Sequence, residues 1–144
     1  MKEEFIPLDE SYLFQAAQLF KSAFAGEPWH DDWSNQEMLL EYIKEVSGGY
    51  NALNFGFVID GKLVAIALGG IRHWWEGANY NIEELCVSPD AQGKGIGSRF
   101  LSMIEKEAQK RGVAGIFLQT DMDKPSFSFY TKNGFTNIEK RSEE

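Results

Sequence analysis

A glycine-rich stretch at residues 92–98 has the residue types and spacing of an anion-binding loop. It reads Gln-Gly-Lys-Gly-Ile-Gly-Ser and follows an apolar run at residues 82–87. Glycine has no Cβ, so the backbone can turn sharply there and point several N–H groups to one side. A helix predicted to begin near Ile96 adds unpaired N–H donors and the positive end of its dipole. Together these features favour a phosphate or pyrophosphate ligand.

The glycine spacing excludes two common nucleotide-binding motifs. A P-loop needs Gly-Lys-Ser/Thr, but Lys94 is followed by Gly95. A dinucleotide fingerprint needs G-x-G-x-x-G, and here the third glycine, Gly97, comes one residue early. The spacing that fits is Gln-x-x-Gly-x-Gly, beginning at Gln92. A flexible surface turn is the alternative interpretation of the loop by itself.

The loop resembles the acyl-CoA pyrophosphate loop of the GNAT superfamily of N-acetyltransferases. Residues 129–135, Phe-Tyr-Thr-Lys-Asn-Gly-Phe, are similar to that family's second signature, a helix-borne tyrosine followed by Asn/Gly-Phe. The order and spacing of both stretches match, and the resemblance covers nearly the whole chain. It implies acetyl transfer from acetyl-CoA to an amine. The implied cofactor-binding residues are Cys86, Val87, Gln92, Gly93, Lys94, Gly95, Ile96, Gly97 and Ser98.

Acetyl transfer to a primary amine needs a base, because an amine with a pKa of about 10 is protonated at neutral pH. The candidates are Glu83 and Glu84, on the strand that leads into the loop. Adjacent strand residues point to opposite faces, so we expect at most one of them to face a given cavity. The resemblance favours Glu83, which is expected to share a face with Leu85 and Val87. The alternative is a solvent-facing carboxylate or an ion-pair partner.

The same resemblance makes Tyr130 the candidate general acid for the departing thiolate; its alternative role is that of a packing aromatic. The acceptor side is predicted to be acidic and aromatic, because the family uses the connection between its first two helices there. Carboxylates pair with ammonium groups, and aromatic faces attract cations. The candidate substrate-binding residues are Trp29, Asp31, Asp32, Trp33 and Asp121. For each of these, a purely structural role is the alternative.

Strands and helices are predicted in the order β-α-α-β-β-β-α-β-α-β. Ser34 and Glu37 form a capping box that is expected to open the second helix. Asp60-Gly61 predicts a type I′ hairpin turn. The order predicts an α/β (α+β) fold with a GNAT-like mixed, mostly antiparallel sheet and helices on both faces. A short helix is predicted from Pro125 and a strand from Phe135 to Lys140. The resemblance implies one further, last strand, which is expected to be short or missing here, because only nine residues follow Phe135.

Composition limits the class of protein. The chain has 144 residues, which suits a single acetyltransferase domain over 1–144. It has no apolar run of about 18 residues and no secretory signal pattern, so no membrane span is expected. A single cysteine, Cys86, fits a reducing cytoplasm, and His30 and His73 are isolated, so no metal site is expected. The net charge of −8 argues against a nucleic-acid surface and favours cationic or neutral partners.

These observations predict a cytoplasmic N-acetyltransferase that uses acetyl-CoA and acts on a small, polycationic amine of the aminoglycoside or polyamine type. Direct attack in a ternary complex is expected, because Cys86 fits a core thiol better than a nucleophile. One alternative is a protein N-terminal or lysine acetyltransferase. Another is a catalytically silent acyl-CoA-binding module. A homodimer is compatible with each of these interpretations.

Overall fold

The computed structural model describes residues 1–26 and 29–118. In chain order the elements are β1 (Glu3–Pro7), a 3₁₀ turn (Glu10–Tyr12), α1 (Leu13–Ala25), α2 (Gln36–Ser47), β2 (Ala52–Ile59), β3 (Lys62–Trp74), β4 (Gly77–Val87), a second 3₁₀ turn (Pro89–Ala91), α3 (Ile96–Lys110) and β5 (Gly115–Leu118). The predicted order is found through β5. The short helix expected from Pro125 and the strand expected from Phe135 lie outside the described residues.

The five strands form one sheet in the order β1-β2-β3-β4-β5. All neighbours are antiparallel except β4 and β5, which are parallel. This is the mostly antiparallel mixed sheet that the sequence predicts. Asp60 and Gly61 both have positive φ, 49° and 83°, as a type I′ turn requires, so the predicted hairpin turn is confirmed.

A second hairpin joins β3 to β4 and was missed by the sequence prediction. The two strands stay paired as far as Trp74 and Gly77, which leaves a two-residue turn at Trp75 and Glu76. The exposed residues of this hairpin do not alternate between apolar and polar, so its period could not be recognised.

The sheet separates two apolar clusters. On one face, α1 and α2 pack against strand residues that include Ile66 and Leu68. On the other face, α3 packs against residues that include Phe57 and Tyr80, with the ring of Phe100 stacked 6.0 Å from that of Phe57. Helices therefore cover both faces of the sheet, as the element order predicts.

The predicted capping box at the start of α2 is wrong. The N-cap is Asn35, whose side-chain oxygen accepts a hydrogen bond from the Met38 N–H at 3.1 Å. Ser34 lies one residue too early, and its own N–H donates to the Asp32 carboxylate at 3.0 Å. Asparagine caps a helix as well as serine does, and the aspartate turn that precedes it decides which residue takes the position.

Among the described residues, no helix has the length and apolar character needed to cross a membrane.

Candidate functional site

The pairing of β3 with β4 shifts by one residue at the candidate carboxylates. Leu68 pairs with Glu84, but the next residue, Gly69, pairs with Ile82, so Glu83 is the extra residue of a β-bulge. A Cβ at Gly69 would lie 2.0 Å from the carbonyl oxygen of Asn81. Only glycine allows the two strands to approach so closely where the register changes. A bulge of this kind changes the face to which the following side chains point.

The bulge brings both carboxylates to the sheet face that α2 covers. Glu84 accepts a hydrogen bond from the hydroxyl of Tyr42 in α2, and Glu83 lines a cavity beside the C-terminal part of α2. Leu85 and Val87 pack on the opposite face, in the cluster that contains α3. The expectation that Glu83 would share a face with Leu85 and Val87 is therefore wrong, although Glu83 is the one of the two carboxylates that lines the described cavity. It assumed the strict alternation of a regular strand.

Glu84 lies in a half-buried, acidic environment. Burial is the main cause that raises the pKa of its carboxyl above the usual value; the nearby charges of Glu83 and Asp31 also raise it, and the hydrogen bond from Tyr42 lowers it. Burial, followed by the hydrogen bond to Glu84, raises the pKa of Tyr42. The phenol therefore stays protonated and keeps donating throughout the neutral pH range. The Trp33 ring stacks on the Tyr42 ring at 5.4 Å, with 27° between the planes.

Glu83 is exposed and faces an open cavity of about 500 Å³. The cavity lies between the C-terminal end of α2, the start of β2, the C-terminal half of β3 and the part of β4 that contains Asn81 and Glu83. Its charged and titratable lining comprises Glu45, Glu83, Tyr50, Arg72 and His73. A small molecule in this cavity can reach Glu83 without any movement of the core.

The glycine loop forms an uncapped helix N-terminus. Gly93 and Gly95 have φ of 80° and 75°, in the left-handed region that glycine adopts without strain. Gly95 is the N-cap of α3, and no side chain accepts a hydrogen bond from the first turn. The N–H groups of Ile96, Gly97 and Ser98 are the donors that such a turn leaves without helical partners. This donor set fits a pyrophosphate.

Two further predicted cofactor-binding residues flank this turn. Lys94 is exposed beside it. Gln92 is exposed, and its side-chain amide donates to the Val87 carbonyl at 3.1 Å, which ties the loop to the end of β4. Arg99, one turn into α3, forms an ion pair with Glu3 at 2.7 Å, so its charge is engaged with β1.

The end of β4 offers backbone donors beside the loop. Within the described residues, the pairing of β4 with β5 ends at Ile82 and Leu118. The Ser88 N–H donates to the Val64 carbonyl in β3, so the alternating N–H groups of Leu85 and Val87 point to the opposite side of β4, the side on which β5 lies. These N–H groups are candidate donors, and Val87 is one of the residues that the resemblance implies for cofactor binding.

Cys86 is a buried thiol of the α1/α2 face, and burial raises its pKa. A thiol that resists ionisation is a poor nucleophile. The structure therefore places the cysteine side chain in the core, and only its backbone can contribute to a binding site.

The two described indoles of the predicted acceptor segment pack against other aromatic rings. Trp29 contacts Phe24 edge-on, with the ring centroids 5.0 Å apart. Trp33 contacts Phe20 at 5.5 Å and stacks on Tyr42. Trp33 therefore contacts Tyr42, which in turn is hydrogen-bonded to Glu84, whereas Trp29 lies against α1.

The two described aspartates of that segment differ in their surroundings. Both are exposed. Asp32 accepts hydrogen bonds from Ser34, which lower the pKa of its carboxyl. Asp31 lies near enough to Glu84 for its charge to raise the pKa of that group. Asp121 and Tyr130 lie outside the described residues.

Tyr42 is the residue that sequence reasoning missed. Its helical spacing from Leu39 and Val46 is that of a buried helix stripe, and the structure places it partly in the core. The available signal was chemical: a tyrosine on a buried helix face needs a partner for its hydroxyl. The sequence could not name that partner, because Glu84 lies 42 residues further along the chain.

Curated proteins with similar sequences include acetyltransferases. Among curated proteins, the tRNA(Met) cytidine acetyltransferase TmcA of Saccharolobus islandicus is 33% identical over 109 residues. That match covers 73% of this chain but only 13% of the relative, so the chain spans a small part of that protein.

Solved structures share the fold at low sequence identity. A possible acetyltransferase from Clostridium difficile 630 superposes with a TM-score of 0.81 at 15% identity, over 100% of this chain and 97% of that one. AAC(6')-Iy, solved with the bisubstrate analogue CoA-S-monomethyl-acetylneamine, gives a TM-score of 0.74 at 16% identity, over 97% and 95% of the two chains.

The sequence profile described as the acetyltransferase (GNAT) family matches residues 13–135. The acyl donor of this family is acetyl-CoA. The match includes both the glycine loop and the second predicted signature, and it extends over most of the sequence. This chain therefore belongs to the GNAT acetyltransferase family.

Proposed function

We propose that this chain is a single-domain N-acetyltransferase that transfers the acetyl group of acetyl-CoA to a primary amine of a small, polycationic acceptor. The observation that carries the proposal is the bulge in β4. It brings Glu83 and Glu84 to one face of the sheet, on the strand that runs directly into the uncapped N-terminus of α3. A base for the amine and an anchor for the acyl donor thus lie at the same end of one strand.

The donor site is proposed at the glycine loop and the end of β4. Acetyl-CoA supplies an activated thioester. The first-turn N–H groups of α3 would hold its pyrophosphate, where the helix dipole favours negative charge. The N–H groups of Leu85 and Val87 would bind along the thioester arm, and one of them would stabilise the negative charge that develops on the carbonyl oxygen.

Glu84 is proposed as the group that takes the proton of the acceptor amine. Its burial raises its pKa, and a base is most effective when its pKa approaches the working pH. Glu83, which the family resemblance favoured, is exposed and lines the cavity, so we assign it to attracting the ammonium group. The amine nitrogen bonds to the acetyl carbon, the carbon–sulfur bond breaks, and Tyr130 protonates the departing thiolate. Solvent carries away the proton that Glu84 takes from the ammonium group. The second proton, which the nitrogen loses as it becomes an amide, passes through solvent to Tyr130.

The acceptor is proposed to be polycationic. Carboxylates lie near both candidate residues, with Asp31 beside Glu84, and Glu45 with Glu83 in a cavity lining that also contains Arg72 and His73. The chain carries a net charge of −8, which attracts cations over a longer range. The fold is also that of AAC(6')-Iy, which was solved with the bisubstrate analogue CoA-S-monomethyl-acetylneamine.

An RNA cytidine is the second candidate acceptor, and one observation favours it: the 33% identity with the tRNA(Met) cytidine acetyltransferase over 73% of this chain. The acidic charge opposes this candidate, because RNA binding depends on neutralising phosphates with lysine and arginine. The small polycationic amine is therefore the preferred acceptor. The cytoplasm is the proposed compartment, since the only cysteine of the chain is an unpaired thiol.

The test measures free thiol release from acetyl-CoA by the full chain against a panel of acceptors. The panel contains a polyamine, an aminoglycoside, a neutral primary amine, a peptide with a free N-terminus and a cytidine-containing RNA. We expect turnover with the first two acceptors and loss of that turnover in Glu84→Gln. Glu105→Gln, a matched change at an exposed site on α3, should keep the wild-type turnover. Turnover confined to peptide or RNA would overturn the acceptor class. Acetyl-CoA binding without turnover of any acceptor would identify a silent binding module.

A further inference from the structure

The hydrogen bond between Tyr42 and Glu84 joins α2 to the bulged end of β4. The phenol donates and the carboxylate accepts, across a sequence separation of 42 residues. No family motif in the sequence includes Tyr42. We propose that Tyr42 is a positioning residue, whose hydroxyl holds the Glu84 carboxylate in the orientation and the ionised state that proton acceptance requires. This inference rests on the proposed function, in which Glu84 is the base.

The Tyr42 ring is held in place from two sides. Trp33 stacks on it at 5.4 Å, and Phe20, which is buried, lies 5.6 Å away with 43° between the planes. Two ring contacts leave the phenol little freedom to rotate, so its hydroxyl stays directed at Glu84. A fixed donor also fixes the acceptor oxygen, which leaves the other carboxylate oxygen of Glu84 to receive a proton.

The titratable groups that face Glu84 make this hydrogen bond important. Glu83 and Cys86 face it from β4, Asp31 from the segment before α2, and Tyr42 from α2 itself. Burial and the two acidic neighbours favour the protonated form of Glu84. Among the described residues, the Tyr42 hydroxyl is the contact that favours the carboxylate form. Loss of this hydroxyl therefore leaves only influences that protonate the base.

Removing the Tyr42 hydroxyl should raise the pKa of Glu84. Because the hydrogen bond lowers the pKa of Glu84, the Tyr42→Phe variant should titrate at higher pH, by about one unit for a hydrogen bond to a charged group. Proton acceptance needs the carboxylate, so the variant should be about tenfold less active than wild type below both titration midpoints. The ratio of the two kcat/KM values should return toward one at alkaline pH, and the titration of the acceptor amine cancels in that ratio.

The experiment uses the full chain in four forms: wild type, Tyr42→Phe, Tyr12→Phe and Glu84→Gln. Tyr12→Phe is the matched control, because Tyr12 lies in the 3₁₀ turn before α1. One measurement is the titration of the Glu84 carboxyl carbon by NMR, with its signal assigned by its loss in Glu84→Gln. The other is kcat/KM across pH for the best amine acceptor. We expect both profiles to shift upward in Tyr42→Phe and to stay at the wild-type position in Tyr12→Phe.

Three outcomes decide the inference. An unchanged titration midpoint for Glu84 in Tyr42→Phe overturns it, whatever the activity. A ratio of kcat/KM values that is lowered equally at every pH also overturns it, since that pattern belongs to a purely structural residue. An upward shift in the NMR titration supports it even if wild type acetylates no amine, in which case the proposed function fails separately.

Discussion

Substitution of Gly95 tests the anion site at α3, because the chain offers a control with the same backbone strain. Gly95 has φ of 75°, and the nearest described atom to a Cβ built there is Nη1 of Arg99, at 3.9 Å. Gly112 lies just beyond the other end of the same helix, also with φ of 75°, and no described atom outside its two chain neighbours lies within 4 Å of a Cβ built there. The two sites are matched in strain and space but lie at opposite ends of the helix dipole.

The expected effects separate into strain and charge. An alanine in the left-handed region costs about 1 kcal/mol at either glycine, which lowers Tm by about 3 °C in a chain of this length. An aspartate at Gly95 adds a negative charge close to the proposed pyrophosphate. At about 4 Å, one pair of charges repels by about 1 kcal/mol in water and about 4 kcal/mol in a partly buried setting. A value of about 2 kcal/mol for this exposed loop corresponds to a Kd about 30-fold weaker.

Isothermal titration calorimetry with acetyl-CoA and thermal unfolding should be applied to alanine and aspartate variants at both glycines. The two alanine variants should lose stability to a similar small extent, whereas Gly112→Asp should lose more than Gly95→Asp, because the helix dipole favours a negative charge at the N-terminus and disfavours it at the C-terminus. Only Gly95→Asp should lose about 30-fold in affinity for acetyl-CoA. Added salt should reduce this difference in affinity between the variant and wild type. Wild-type affinity in a folded Gly95→Asp variant would refute the site. Equal losses of affinity in Gly95→Asp and Gly112→Asp would attribute the effect to helix strain instead of charge.

Three further predictions address the chemistry and the core. Glu84→Gln should lower kcat most at neutral pH and recover partly at high pH, where the free amine needs no base, whereas Glu83→Gln should mainly raise the acceptor KM; pH-rate profiles of both variants distinguish these effects. Raising the salt concentration should increase the acceptor KM, since exposed charges act over only about 8 Å at physiological ionic strength; a KM independent of salt would contradict an acidic acceptor site. Tyr80→Phe removes a buried hydroxyl that donates to the Leu53 carbonyl at 2.8 Å, so chemical unfolding should show a loss of about 1–2 kcal/mol; unchanged stability would mean that the hydrogen bond contributes nothing net.

Features that depend on residues close together in the chain were the ones that could be predicted from the sequence. The Asp60-Gly61 turn was predictable, because its backbone conformation depends on two adjacent residues. The buried stripe of α3, including Phe100 and Ile104, follows from helical spacing alone. The start of α2 was predicted wrongly, since Ser34 and Asn35 are both good caps and a local competition decided between them.

The family, the order of elements through β5 and the position of the glycine loop before α3 could be predicted from the sequence, because each depends on residues that are near one another in the chain. The positions of the two carboxylates depend on long-range packing instead. The register shift at Glu83 depends on how β3 pairs with β4, and it reversed the expected face of that side chain. The contact of Tyr42 with Glu84 depends on α2 packing across the sheet, a long-range arrangement that no local pattern encodes.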